Sequence, residues 1–312
     1  MKILVVGDTH FSSRTPERRK DSILITQLKK MEYINEIFYS SNCNLMVQVG
    51  DFFDTPNPGN FVIAKLIRYF YMEEWNLVLP IYTIFGQHDV FGHTIDTFPR
   101  SPLAVMEAAG VCTILNENPV LLEDVAIYGT SFGQDIPDSI ANGSKCNILV
   151  IHKNIGDRPL FPGHELIGPR NFLRKYPQYD VVLCGDYHYT FDDRYNDRLI
   201  CNPGCLIRKT IVKHDLEHKP CVFILDTDTL KLEQVYLPIQ EVEDVFDLSV
   251  EEKKKRDELI EFIEHLRDNT QGQTSWRTIL DKVYDERKVP KHIKEELENI
   301  IHIVLETEKG ND

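Results

Sequence analysis

Five times within its first 188 residues, the chain runs through a short apolar stretch and stops at a carboxylate or an imidazole. KILVV (2–6) leads to Gly7-Asp8-Thr9-His10, and LMVQV (45–49) leads to Gly50-Asp51-Phe52-Phe53-Asp54. LPIYTIF (79–85) leads to Gly86-Gln87-His88-Asp89, ILVI (148–151) to His152, and YDVVLC (179–184) to Gly185-Asp186-Tyr187-His188. Apolar runs of about 4–8 residues bounded by turn residues read as buried strands. Between the first three lie helical patterns: Leu24, Leu28, Met31 and Phe38 share one face, and a second helix is expected from Asn60 to Trp75. Strand, helix, strand, helix, strand is the order of an α/β fold. In open α/β sheets ligands bind at the carboxyl ends of the strands, where all five clusters would lie.

From about residue 111 the pattern becomes strand-rich: VCTIL, VAIYGTSF, NILVIH, YDVVLCGDYH, RLICNPG and PCVFILDT are separated by turns. Pro159, Pro162 and Pro169 interrupt the segment after His152, so a helix there is not assured. Beyond Glu243, Leu259, Phe262, Ile263 and Leu266 fall at helical spacing, as do Trp276 to Tyr284 and Ile293 to Leu305. The expected organisation is one domain over 1–245 and a helical C-terminal segment over 249–312.

Hydrophobic residues at 42% and charged residues at 27% describe a globular chain rather than a disordered one. Seven cysteines without a CxxC pair read as free thiols in a reducing, cytoplasmic compartment. Neither a signal peptide nor a membrane-length apolar stretch is evident. A formal net charge of −14 disfavours unassisted binding to a polyanion and suits carboxylates that wait for divalent cations.

A single strand-end Asp is usually a turn or cap residue, and a single His is usually structural. Five such clusters in order, each after a strand, instead describe mixed carboxylate and imidazole donors gathered at one sheet edge. That donor set suits manganese, iron or zinc better than calcium. Two such cations about 3.5–4 Å apart can bind a phosphate, activate a water and stabilise the attacking and leaving oxygens.

The order DxH, GDxxD, G-Gln-His-Asp, lone His and GDxH resembles the signature of the calcineurin-like metallophosphoesterases over residues 1 to about 205. GDFFDTPNPG, YDVVLCGDYHYTF and NPGCLIRKT are similar, less specifically, to the SbcD-type DNA repair nucleases. The resemblance implies a four-layer αββα sandwich with a small C-terminal helical appendage. It implies that Asp8, His10, Asp51 and His188 hold a first metal. Asp51 would bridge to a second, completed by Gln87, His152 and Asp186. His88 would stabilise the transition state or protonate the leaving oxygen, and Asp54 and Asp89 would support the ligands. Two departures fall on the second metal: Gln87 stands where the family has Asn, and Asp186 where it has His. Both still offer oxygen, which tilts the expectation toward manganese or magnesium.

The implied activity is metal-dependent DNA phosphodiester hydrolysis, as an exonuclease and also an endonuclease, in repair, recombination or replication-associated processing. Arg14, Arg18 and Arg208 are candidates for contacting the phosphodiester backbone, with a solvated charged loop as the plainer reading of the first two. An SbcC-type ATPase docking on the C-terminal helices, and a homodimer, are the implied partners. Two alternatives stay open: a phosphatase or phosphodiesterase on nucleotides or phosphoproteins, and a non-catalytic scaffold with the same fold.

Overall fold

The computed structural model describes residues 1–71, 80–138, 140, 143–159, 166–248, 284 and 294. The chain divides into two compact units, Met1–Asp247 and Leu248–Asp312. The three helices expected over 249–308 fall almost wholly outside the described residues, where only Tyr284 and Lys294 are seen, both helical.

The first unit begins with β1 (Lys2–Val6), β2 (Leu45–Gln48), β3 (Ile81–Thr83) and β4 (Thr113–Ile114), joined through α1 (Ile23–Ser40), α2 (Asn60–Tyr71) and α3 (Pro102–Ala108). It continues with β5 (Val120–Leu122), β6 (Val125–Thr130), β7 (Cys146–His152), α4 (Pro169–Lys175), β8 (Val181–Gly185), β9 (Phe191–Tyr195) and β10 (Arg198–Asn202). After α5 (Lys213–Glu217), the strands β11 (Cys221–Asp226) and β12 (Lys231–Tyr236) return to the first sheet, and α6 (Val242–Val245) closes the unit. One sheet has the order β12-β11-β1-β2-β3-β4 and the other β5-β6-β7-β8-β10-β9.

Period-two alternation decides which side chains go where. In β1, Leu4 and Val6 join Leu24, Leu28, Met31, Val62 and Leu66 in a core under α1 and α2. Ile3 and Val5 point the other way, into a core shared with Ile127, Ile148, Val150, Val181 and Leu183 of the second sheet. On that sheet's far side, Tyr128, Leu149, Ile151 and Val182 pack with Phe172 and Leu173 of α4. Strands buried on both faces read as near-continuous apolar runs, as the sequence has them. The result is helix, sheet, sheet, helix: the expected four-layer αββα sandwich.

Prolines mark a start rather than a break at α4, where Pro169 occupies the first turn. There its fixed φ suits the helix and its missing N–H costs nothing. The strands β1, β2 and β3 run parallel to one another, as do β6, β7 and β8. Parallel pairing places the carboxyl ends of neighbouring strands side by side, so each sheet delivers its loops at one edge.

Candidate metal centre

Every cluster picked out in the sequence follows one of these parallel strands. Asp8 and His10 follow β1, Asp51 and Asp54 follow β2, Gln87, His88 and Asp89 follow β3, His152 ends β7, and Asp186 and His188 follow β8. Gln48, buried at the end of β2, ties the loops together: its amide nitrogen donates to the carbonyls of Gly7 (3.2 Å) and Gly50 (2.5 Å), and its oxygen accepts from Gly50 N. Gln27 of α1 donates to the carbonyls of Thr9 and His10, which fixes the first loop.

Three of the delivered residues, His10, Asp51 and Asp186, have φ of 45°, 49° and 80°. Non-glycine residues in this left-handed region cost about 1–3 kcal/mol each and cluster where function requires them. Gly50, at φ 101°, lies beside His152, and a Cβ there would meet Nδ1 at 2.4 Å. Gly86 is equally close to the centre: its Cβ would stand 2.0 Å from Asp51 Oδ1 and 2.6 Å from His152 Nε2.

Asp51 Oδ2 is the hub. It belongs to a fully buried residue, and three imidazoles surround it. His152 Nε2 lies at 3.2 Å, His10 Nε2 at 3.8 Å and His88 Nε2 at 4.0 Å. The other carboxylate oxygen, Oδ1, accepts from His88 N at 3.0 Å. Around the hub, His10 Nε2 is 3.3 Å from His188 Nε2, which is 3.6 Å from Asp8 Oδ2. Gln87 Nε2 donates to Asp186 Oδ1 at 2.8 Å, and Asp186 N donates to Asp8 Oδ2 at 3.1 Å. All seven expected ligands therefore form one contiguous cluster.

Backbone carbonyls orient two imidazoles. His152 Nδ1–H donates to Val49 O at 2.8 Å, which aims Nε2 at Asp51. His88 Nδ1–H donates to Asp54 O at 2.8 Å, which aims its Nε2 the same way. A second partner that fixes the tautomer is a regular feature of metal-binding and catalytic imidazoles. Asp89 is fully buried and accepts from Gly86 N, Phe52 N and Phe53 N at 2.8–3.1 Å, locking the β2 and β3 loops together. The Asp54 carboxylate accepts from Lys209 Nζ at 2.6 Å and lies 3.7 Å from His10 Nδ1.

Burial and crowding set the proton affinities of the protein alone. Burial raises Asp8 well above the usual carboxylate range, offset in part by His152 and reinforced by Asp51 and Asp186. Asp51 is buried too, but the imidazoles of His152, His88 and His10 outweigh that and hold it far down. Burial would depress His152, yet the Asp51, Asp8 and Asp186 charges lift it to about 10. Burial lowers His10 to about 4, so it stands as the neutral imidazole that a cation requires.

The donors fit divalent cations on an independent observation. Asp8 Oδ1 and Gln87 Oε1 are buried without hydrogen-bond partners, and buried Asp51 Oδ2 meets only imidazole nitrogens. Buried polar atoms are ordinarily satisfied, and two exceptions within one cluster fit a ligand. Two groups of donors lie within 4.8 Å of one another: Asp8, His10, His188 and Cys205, and His10, Asp51 and His88.

A family model for the calcineurin-like phosphoesterase superfamily domain matches residues 1–230. The chain belongs to the calcineurin-like phosphoesterase superfamily. It is accordingly a hydrolase of phosphoester bonds, and members of the superfamily bind divalent metals. It is 25% identical over 242 residues to a probable exonuclease subunit 1 of Escherichia phage T5, covering 76% of this chain and 69% of that one. A putative 5'-nucleotidase from Staphylococcus aureus shares the fold at a TM-score of 0.50 and 15% identity, over 84% of this chain and 58% of that one. An archaeal phosphodiesterase aligns at a TM-score of 0.41 and 20% identity, over 76% of this chain and 100% of that one.

The remaining sequence candidates are placed differently. Arg14 is exposed and Arg18 half-buried on the loop after His10. Arg208 is only 7% exposed, and its guanidinium donates to the Gln240 carbonyl, so its charge is used inside the fold. Its neighbour Lys209 is the cation that reaches the centre, through Asp54. Phe52, Phe53 and Tyr187 are buried beneath the loops, as packing residues would be. Cys205 is a candidate donor that the sequence motifs did not single out. The only signal for it was its place directly after the Pro203-Gly204 turn of the nuclease-like NPGC segment. Among the described residues no helix is long and apolar enough to cross a membrane.

Proposed function

We propose that the chain is a two-metal DNA nuclease, an exonuclease that also cuts internally, acting in repair, recombination or replication-associated processing in the cytoplasm. The observation that carries the reading is Asp51 Oδ2, in a fully buried residue and ringed by the Nε2 atoms of three histidines from three loops. Asp8, His10, Asp51 and His188 would hold one cation. Gln87, His152 and Asp186 would hold another, with Asp51 common to both. Manganese suits a set with this many oxygens, with magnesium, iron and zinc as the other candidates. The cations would supply the positive charge that binds a phosphodiester and activates a water.

The chain's own residues do the rest. His88, held by Asp54 O, presents Nε2 where a leaving oxygen could take its proton, a contribution of about 10²–10⁴ in rate. Asp89 keeps the loops of Asp51 and His88 in register through three backbone N–H groups. Lys209 neutralises Asp54 beside His10. Arg14 and Arg18, on the loop after His10, are placed to meet the substrate backbone. The similarity to a phage protein described as an exonuclease subunit supports both the DNA substrate and a second component. An SbcC-type ATPase held by the segment after residue 248 fits that arrangement, as does a homodimer.

Labelled single- and double-stranded DNA with added manganese tests the reading, comparing wild type with His88→Ala and Asp51→Ala. Metal-dependent cleavage falling at least about 100-fold in both variants is expected. Hydrolysis of nucleotides or bis-(p-nitrophenyl) phosphate with DNA untouched would replace the nuclease by a small-substrate phosphodiesterase. Inactivity on every phosphoester with cations bound would leave the non-catalytic scaffold.

A further inference from the structure

We propose that Cys205 is a ligand of the first cation, so that this position selects a softer metal than the second. The proposal rests on the two-cation reading above. The donor atoms of Asp8, His10, His188 and Cys205 lie within 4.8 Å of one another. Donors sharing one ion through bonds of about 2.0–2.3 Å are at most about 4.4 Å apart. The 4.8 Å ceiling on the four donors lies a few tenths of an ångström above that limit.

The position of Cys205 is built into the backbone. Cys205 forms an isolated parallel bridge with Asp8, and the next residue, Leu206, donates its N–H to Asp8 O at 2.9 Å. Its own N–H donates to His188 O at 3.3 Å, so the segment is pinned to two of the other three donors. Asn202 holds the preceding turn, accepting from Gly204 N at 2.8 Å and donating to Tyr187 O. On the other side, His218 Nε2–H donates to Cys205 O at 2.7 Å. Within this group Asp8 Oδ2 lies 3.6 Å from His188 Nε2, which is 3.3 Å from His10 Nε2, and Asp8 itself is 1% exposed. All seven cysteines are free and buried, and among the described residues only Cys205 joins a group of candidate metal donors.

The chemistry sets the two positions apart. A thiolate favours zinc, cobalt or cadmium over manganese or magnesium. The second position offers Gln87 Oε1 and the Asp51 and Asp186 carboxylates with one imidazole, a harder set. On coordination the thiol gives its proton to solvent as the sulfur–metal bond forms, and no electron is transferred.

Cobalt(II) titrated into the full-length, metal-stripped protein and followed by absorption tests the assignment, with Cys205→Ser alongside. A thiolate-to-cobalt charge-transfer band in the near ultraviolet is expected in wild type. In Cys205→Ser that band should vanish while the visible d–d bands remain. Zinc affinity of the first position should fall by more than the roughly 10–100-fold that a change outside the coordination sphere costs. Visible cobalt bands in wild type without the charge-transfer band would overturn the Cys205 ligand and leave the metal centre standing. No cobalt bands at all would overturn both. The wild-type spectrum is decisive by itself, so the test does not depend on how well the variant folds.

Discussion

Gly86→Ala adds one methyl group at the centre of the cluster and nothing else. Gly86 has φ −95° and ψ −176°, an extended conformation that alanine adopts freely, so no backbone strain follows. The added Cβ would stand 2.0 Å from Asp51 Oδ1, whereas ordinary contact begins at 3.4 Å. The carboxylate must therefore retreat by about 1.4 Å or the β3 loop must lift by as much. The same methyl crowds His152 Nε2 at 2.6 Å, so the hub and its nearest imidazole are both displaced. A 1 Å misplacement of catalytic groups can cost about 100-fold, which is about 2.7 kcal/mol of transition-state stabilisation. Overpacking costs the fold about 1–3 kcal/mol, reduced by the roughly 0.4–1 kcal/mol that Gly→Ala saves in unfolded-chain entropy. Activity should thus fall at least about 100-fold while the metal-free protein still melts cooperatively within several degrees of wild type. Manganese-dependent hydrolysis of bis-(p-nitrophenyl) phosphate and a thermal melt measure the two quantities. Wild-type kcat/KM in Gly86→Ala would refute the placement of Asp51 and His152 at the reacting centre.

Cation binding should also release protons. His152, raised to about 10, is an imidazolium in the protein alone at pH 7–8 and must lose a proton to bind a cation. Calorimetry of manganese binding in buffers of different ionisation enthalpy should show about one proton released per protein from this group in wild type and none from it in His152→Gln; equal release in both would refute the assignment. The same raised value means that the His152 ion pair stabilises the metal-free fold fully below its unfolded value of about 6.5 and that this stabilisation fades as pH rises through about 10. Metal-free melting temperatures of wild type and His152→Gln should therefore converge toward alkaline pH. Gln87→Asn and Asp186→His should each weaken the second cation's affinity, while the double variant recovers it; strictly additive effects would show that the two residues are independent.

The site was far more legible than its supports. A carboxylate or imidazole placed directly after an apolar run is a local signal, because the strand's end fixes where the next residues go. All five clusters arrive at one place for that reason. The edge strands β5, β9 and β12 were not foreseen, since their partial exposure leaves little apolar contrast: FDDRY alternates between half-buried and exposed positions and KLEQVY is mostly exposed. The second helix, read to Trp75, is described only to Tyr71. Gln27, Gln48 and Asn202 look like ordinary polar residues, and their roles arise from contacts with distant loops. Arg208 illustrates the reverse: a charge beside a site motif implies a substrate contact until the fold turns it toward Gln240 O. A buried cysteine after a turn is by default a small core residue, so Cys205 became visible only when Asp8 and His188 were seen on either side of it.

The two departures from the family pattern touch each other, and that argues against decay of the second position. Gln87 is longer by one methylene than the family's Asn, and Asp186 is shorter than the family's His. Their side chains meet at 2.8 Å, with the amide nitrogen donating to the carboxylate. Reach lost on one loop is regained on the other. The bond also settles the amide's orientation: the nitrogen is occupied, so Oε1 is the atom left buried and unsatisfied. A site released from function would have no reason to keep that oxygen dry, since a buried unsatisfied polar group costs about 1–3 kcal/mol. Nor would it keep His10, Asp51 and Asp186 in left-handed backbone, at a similar cost each. Exchange of a nitrogen-bearing donor for an oxygen-bearing one leaves a donor set that would suit a harder cation, as the proposed second position requires.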